Sequence, residues 1–95
     1  MKRNFSKIKR VERIFRGVAN HWRVSILLYI KDNPKADLNN ISDNLKCNIK
    51  TASEHLRRLK HAGLINKKYL KNHVQHTLSP YGEKIIKTIL VFLNS

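Results

Sequence analysis

Lys50, Glu54, Arg57 and His61 repeat at intervals of four, three and four residues, so a helix would carry them on one face. Such a face suits the edges of bases in a DNA major groove. Arg57 can pair bidentately with guanine O6 and N7, and Glu54 can accept from cytosine N4. Lys50, Thr51 and Ser53 fall in the first turns, where a recognition helix meets base edges. Arg58 and Lys60 suit phosphates or solvent. Two readings are open for Glu54, because it stands four residues before Arg58 and can instead form a helix-surface ion pair. The whole segment also has a plainer reading as a solvated amphipathic helix, and what precedes and follows it decides against that.

Asn48 suits the N-cap of this helix, since its side-chain oxygen can accept an orphan N–H of the first turn. Ala52, Leu56 and Leu59 give its buried stripe, and Gly63 supplies the left-handed position that ends it. Upstream, Ile8, Val11, Phe15 and Val18, widened by Ile14, mark a first amphipathic helix. Gly17 weakens it near its end. Asn20 caps a second helix that buries Trp22, Ile26, Leu27 and Ile30, and Asp32-Asn33-Pro34 stops it. Asp37 caps a short third helix with Leu38, Ile41 and Leu45 inward. Lys46-Cys47 is then the tight turn into the basic helix.

After Gly63 the period changes to that of strands. Ile65 to Leu70 and His73 to Leu78 read as a hairpin around Lys71-Asn72, with Asn72 taking the positive φ of a two-residue turn. Val74, His76 and Leu78 share one strand face. Ser79 caps a last helix with Pro80 at its first position. That helix carries Ile85, Ile86, Ile89, Leu90, Phe92 and Leu93, and its end is apolar nearly all round. A lone subunit would expose that end, whereas burial between two subunits removes the conflict. The expected contact uses Ile8, Phe15, Ile86, Ile89, Leu90 and Leu93. The fold class is mainly α: a winged helix-turn-helix, dimeric through its terminal helices.

The 95 residues form one domain, 1–95, with 1–7 as a flexible basic arm. A hydrophobic content of 41% supports a folded core. The net charge of +14 and pI near 10.5 favour a polyanionic partner. Cys47 is the single cysteine, which excludes an intrachain disulfide and fits a reducing cytoplasm. No apolar run approaches a membrane span, and the basic start has no apolar run of a secretory signal after it.

The wing residues Lys67, Lys68, Lys71 and His73 can straddle phosphates, and a charged edge strand also resists aggregation. Lys2, Arg3, Lys7, Lys9, Arg10, Arg13 and Arg16 suit a DNA-contacting arm or helix face, or a solvated tail. Cys47 reads as a small buried hydrophobe rather than a redox or metal residue. His21, His55, His61, His73 and His76 form no i, i+4 pair with one another or with Cys47, so no metal is expected. His55 and His76 read as packing residues. Trp22, Tyr29, Tyr69 and the phenylalanines read as core or dimer packing, since they are not interleaved with basic residues as in single-strand binders.

Ala19-Asn20-His21-Trp22-Arg23-Val24-Ser25-Ile26-Leu27, the run Leu45 to Leu59 with Thr51, Ser53, His55, Leu56 and Leu59, and Ala62-Gly63-Leu64-Ile65 together resemble the ArsR/SmtB family of small dimeric winged-helix repressors. The likeness covers about Val18 to Leu78. Leu78-Ser79-Pro80-Tyr81-Gly82 is similar to the Leu-Thr-Pro-x-Gly that follows the wing in MarR-like regulators. The resemblance implies a homodimer that binds double-stranded DNA. Sensing members of the family draw metal ligands from a Cys-x-Cys on the third helix, or from Asp and His on the last. This chain has neither, and its last helix offers only Glu83. No cofactor is implied, and whether a metal or small-molecule inducer acts is left open.

An enzyme is not expected: no nucleophile is paired with a base, no glycine loop could cradle phosphate, and six carboxylates serve the whole chain. The leading expectation is a sequence-specific, homodimeric DNA-binding repressor in the cytoplasm. The alternative is a low-specificity architectural nucleic-acid binder, which +14 also suits. A winged-helix protein–protein module would not need this charge on its reading face.

Overall fold

The computed structural model describes residues 3–95. The element order is α1 (Phe5–Val18), α2 (His21–Asp32), α3 (Leu38–Leu45), α4 (Ile49–His61), β1 (Ile65–Tyr69), β2 (Val74–Leu78) and α5 (Pro80–Leu93). Every helix starts on a side chain that accepts a backbone N–H of its first turn: Asn4, Asn20, Asp37, Asn48 and Ser79. Each such cap contributes about 1 kcal/mol and fixes where the helix begins. Asp37 and Asn40 cap each other reciprocally, at 2.8 and 3.0 Å. Proline follows Asn33 and ends α2, as expected.

α2 is the central helix and packs against α1, α3, α4, α5 and β2. Its Ile26, Leu27 and Ile30 meet Ile41, Leu56, Leu59, Leu64, Ile65 and Ile86, all nearly free of solvent. Trp22, expected inside with them, is only half-buried. Two glycines set close approaches. A Cβ on Gly17 would collide with the Ala62 side chain, so this position lets α1 sit directly on the end of α4. A Cβ on Gly82 would collide with the Leu64 carbonyl, which holds α5 against the start of the wing. Gly63 has φ +79° and ends α4 as its left-handed residue.

β1 and β2 pair antiparallel, from Ile65 opposite Leu78 to Tyr69 opposite Val74. Both strands are one residue shorter at the turn than the sequence pattern suggested. The strands end at Tyr69 and Val74, which leaves the four-residue connection Leu70 to His73, and the Leu70 N–H donates across it to the His73 carbonyl at 2.9 Å. Asn72 therefore does not take a positive φ. Longer hairpin connections can use ordinary turn conformations, so the constraint that selects Asn-Gly is relaxed. A further bridge, Ala36 to His76, extends the sheet beyond the hairpin. It follows a turn in which Lys35 takes φ +72°, a strained conformation for a side chain with a Cβ.

The flexible basic arm expected over 1–7 does not include Phe5 to Lys7. Asn4 caps α1, and Phe5 to Lys7 are already its first turn; Met1 and Lys2 lie outside the described residues.

Candidate nucleic-acid interface

The turn between α3 and α4 aims the basic helix, and it is built without glycine. Lys46 adopts a left-handed conformation at φ +54°. Ser42, itself buried, then donates its hydroxyl to the Cys47 carbonyl at 2.7 Å, while the Cys47 N–H donates to the Ser42 carbonyl at 3.2 Å. Two hydrogen bonds to one residue hold the strained step. Asn48 closes the turn by accepting from the Lys50 N–H at 2.8 Å.

α4 then divides into two faces. Ala52, Leu56 and Leu59 are buried, and Lys50, Thr51, Ser53, Glu54, Arg57 and Arg58 are exposed. Glu54 is the hub of the exposed face. It accepts from Arg57 Nε at 3.0 Å and Nη2 at 2.7 Å, and from Arg58 Nε at 3.1 Å. The Arg57 hydrogen bonds above all hold its carboxyl at about 2, far below the ordinary carboxylate value. Of the two open readings for Glu54, the free chain adopts the ion pair, with Arg57 as well as Arg58. Arg57 spends its Nε edge on this fork. Its end-on edge still carries N–H donors, which is the edge a guanine would need.

Behind this face, Arg23 of α2 donates from Nε to the Gly17 carbonyl at 2.6 Å. Its Nη1 lies 3.2 Å from His55 Nδ1, so that imidazole nitrogen accepts. Burial, then the charges of Arg23 and Arg58, push the His55 imidazole below its ordinary value, toward the neutral form. His55 is thus a packing and positioning side chain that locks α4 to α2.

The wing does not present its lysines as one row. Lys67 and Lys68 are successive strand residues and point to opposite faces. Lys67, opposite His76, is half-buried, and burial and Lys60 hold its ammonium below the ordinary value. Lys68, Lys71 and His73 are exposed. Tyr69, expected in packing, is 73% exposed near the wing tip. His76 is buried, and its Nδ1 lies 2.8 Å from the Ala36 carbonyl.

The family model for bacterial regulatory proteins of the arsR family matches residues 21–67, which spans α2, α3, α4 and the start of the wing. Over those residues, just under half of the chain, the sequence is similar to the ArsR family. The fold of the chain is also that of HlyU from Vibrio cholerae N16961, with a TM-score of 0.83 at 23% identity over 94% of this chain and 97% of that one. A homodimeric winged helix-turn-helix DNA-binding domain of Mb0332 from Mycobacterium bovis gives 0.86 at 20% identity, over 99% and 87%. The transcriptional repressor PagR of Bacillus anthracis gives 0.81 at 17% identity, over 90% and 99%. No curated protein sequence matches the chain.

The ends of α1 and α5 are left uncovered. Phe5, Ile8, Val11 and Phe15 on α1 are about half exposed or more, as are Val91, Phe92 and Leu93 on α5. Ile89 and Leu90 are partly buried against the core. Ile86, expected in the subunit contact, is instead 1% exposed within its own chain. It follows Ile85 on the inward face of α5, so it fills the core and has no surface to offer a partner.

Among the described residues no three His, Cys, Asp or Glu side chains come together as a metal-holding group. Among them also, no helix is long and apolar enough to cross a membrane.

Three features escaped the sequence reading. Lys35 and Lys46 take positive φ without being glycine or asparagine, so residue type gave no signal. The Arg23–Gly17–His55 link joins three elements; His55 was read as a packing residue, but its tie to Arg23 crosses helices and left no local signal. Gly17 was legible as a helix weakener but not as the contact with Ala62.

Proposed function

We propose that this chain is an ArsR-family transcriptional regulator, a homodimeric repressor that binds double-stranded DNA sequence-specifically. α4 enters the major groove with Lys50, Thr51, Ser53 and Arg57 toward base edges. Arg58, Lys68, Lys71 and His73 hold the backbone, with Lys67 as the inner lysine of the wing. The observation that carries this reading is the exposed face of α4, aimed by the Ser42–Cys47 turn and locked from behind by His55 and Arg23. Two further points support it: Mb0332 is described as a homodimeric DNA-binding domain, and PagR as a transcriptional repressor. The uncovered apolar ends of α1 and α5 are the surfaces a second subunit would cover, through Ile8, Phe15, Ile89, Leu90 and Leu93. The protein acts in the cytoplasm by binding rather than catalysis.

The charge of +14 favours one other reading, low-specificity architectural binding. Selection of bound duplexes from a random pool at physiological salt separates the two. A repressor enriches a two-fold site with half-sites about 10 base pairs apart or a multiple of that. An architectural binder enriches none, and its affinity varies little with sequence. With about 6–10 phosphates neutralised per dimer, log K against log salt falls with a slope of about −5 to −9 in either case. A slope near zero would remove DNA as the partner.

A further inference from the structure

A concave cleft of about 410 Å³ opens between α1 and α4, with α2 behind it. Lys9, Arg13 and Arg16 of α1, Arg23 of α2, and Arg57 and Arg58 of α4 line it. Glu12 is the one carboxylate in that lining, and Arg16 already engages it at 3.3 Å. We propose that this cleft binds a small, multiply charged anion of the pyrophosphate or triphosphate class, and that its occupation competes with DNA for Arg57. The competition, though not the binding, rests on the DNA-binding reading above.

Ordinary helix electrostatics does not account for the arrangement. Cations are favoured at helix C-termini, which explains Arg16 in the last turn of α1 and Arg58 in that of α4. Lys9 and Arg13 lie in the body of α1. Arg23 lies in the first turn of α2, at the positive end of that helix, where a cation is disfavoured. It is nevertheless held there by the Gly17 carbonyl and His55. Burial, then the neighbouring Arg58 charge, holds its guanidinium below the ordinary value. Gly17 is what brings the two basic walls together, because the missing Cβ lets α1 rest on Ala62.

The shape favours a compact anion over a duplex. The volume falls within the range of small-molecule sites, about 300–1,000 Å³, and the walls come from three helices. Guanidinium groups on both walls, Arg57 and Arg58 through the N–H groups that Glu54 leaves free, can share the several oxygens of a condensed phosphate. A dimer formed through the apolar side of α1 would leave the cleft open. Lys9, Arg13 and Arg16 step by four and three residues along one side of α1, while Ile8, Val11 and Phe15 occupy the other. Arg57 belongs both to the cleft and to the outward face of α4, so an anion drawn between the walls takes a base-reading side chain with it.

The test titrates pyrophosphate and tripolyphosphate into the full chain by calorimetry, at fixed ionic strength, with chloride as control. The expected result is a saturable isotherm with one site per subunit. Arg13→Ala/Arg16→Ala, both at exposed positions, should weaken it by about tenfold or more, while Arg13→Lys/Arg16→Lys retains part of it. Circular dichroism confirms that the variants fold. No saturation, or equal binding by wild type and the alanine pair, overturns the site; this arm uses no DNA and is independent of the repressor reading. In the second arm, with duplex concentration scaled to each protein's own DNA affinity, tripolyphosphate should release a selected duplex from wild type but not from the alanine pair. Equal release from both proteins means screening by salt and overturns the competition. Loss of DNA affinity in the alanine pair, with no phosphate binding by wild type, assigns the cleft to the DNA backbone instead.

Discussion

α1 and α4 are both amphipathic by sequence, yet they end in opposite situations. α4 buries its stripe of Ala52, Leu56 and Leu59 within the chain and turns its charges outward. α1 buries only Val18, and its Ile8, Val11 and Phe15 remain open. The difference is in the neighbours. α4 is flanked by α2, α3 and the wing, whereas α1 touches the ends of α2 and α4. An apolar stripe states that a helix needs a partner surface, but not whether its own chain provides one. The centre of this molecule is closed within one chain, whereas its two ends leave large apolar side chains uncovered.

The largest effect should come from charging the open stripe. Phe15→Glu/Leu93→Glu changes residues that are more than half exposed in the single chain, so an isolated subunit would tolerate it. Across a subunit contact it would bury two carboxylates without partners, which costs several kcal/mol. Sedimentation equilibrium should show a dimer for the wild type and a monomer for the variant. A wild type that stays monomeric at high micromolar concentration ends the dimer proposal and makes α1 a free surface helix.

Truncating the two stripes sharpens the contrast. Leu59→Ala in α4 removes a fully buried side chain and should cost about 2–5 kcal/mol, independent of protein concentration. Phe15→Ala in α1 should instead shift the melting temperature by an amount that grows with protein concentration, since subunit association and stability are linked by mass action. Equal, concentration-independent losses at both sites would mean that α1 is packed within its own subunit.

The glycines give the next tier. Gly82→Ala drives a methyl into the Leu64 carbonyl, and overpacking of this kind costs about 1–3 kcal/mol. Gly63 has open space around its missing Cβ, so Gly63→Val tests backbone strain alone, also about 1–3 kcal/mol. Chemical denaturation measures both. An unchanged Gly63→Val protein would place the end of α4 elsewhere.

These residues also show where sequence was informative. The caps Asn20, Asp37, Asn48 and Ser79, the stop at Pro34 and the stripe of α4 could be read because each has a local physical cause. Ile86 was misassigned because a helix apolar on several sides does not state which side faces inward; only the packing of α5 against α2 and the wing decides that. Glu54 could be read as an ion pair with Arg58, yet its stronger fork with Arg57 depends on side-chain conformations that spacing does not fix. The cleft could not be read at all, since its three walls come from helices separated in sequence. The wing turn and Lys46 diverged from expectation because hydrogen bonds within the turns, between Leu70 and His73 and between Ser42 and Cys47, substitute for the residue types that usually supply a turn.

The smallest expected effect separates core from surface by pH. His76 is buried, and burial pushes its imidazole below the ordinary histidine value despite the Ala36 hydrogen bond. The folded chain therefore refuses a proton that the unfolded chain accepts. Stability should fall as pH drops through about 6.5, where the unfolded imidazole titrates, with His55 acting in the same direction. Glu54 acts in a separate window. Its carboxyl is held down at about 2, so its contribution is full above the ordinary carboxylate value and is lost as pH falls toward 2. His76→Leu removes its own share of the first loss, leaves that of His55, and spares the second. The sheet bridge survives this change, because the backbone N–H of residue 76 still donates to the Ala36 carbonyl at 3.0 Å. Melting temperatures from pH 7.5 down to pH 3 should show a flatter upper limb for His76→Leu, and Glu54→Gln should flatten only the lower one. If Glu54→Gln instead removes the loss near neutrality, the surface cluster on α4 rather than the buried imidazole sets the acid stability of this fold.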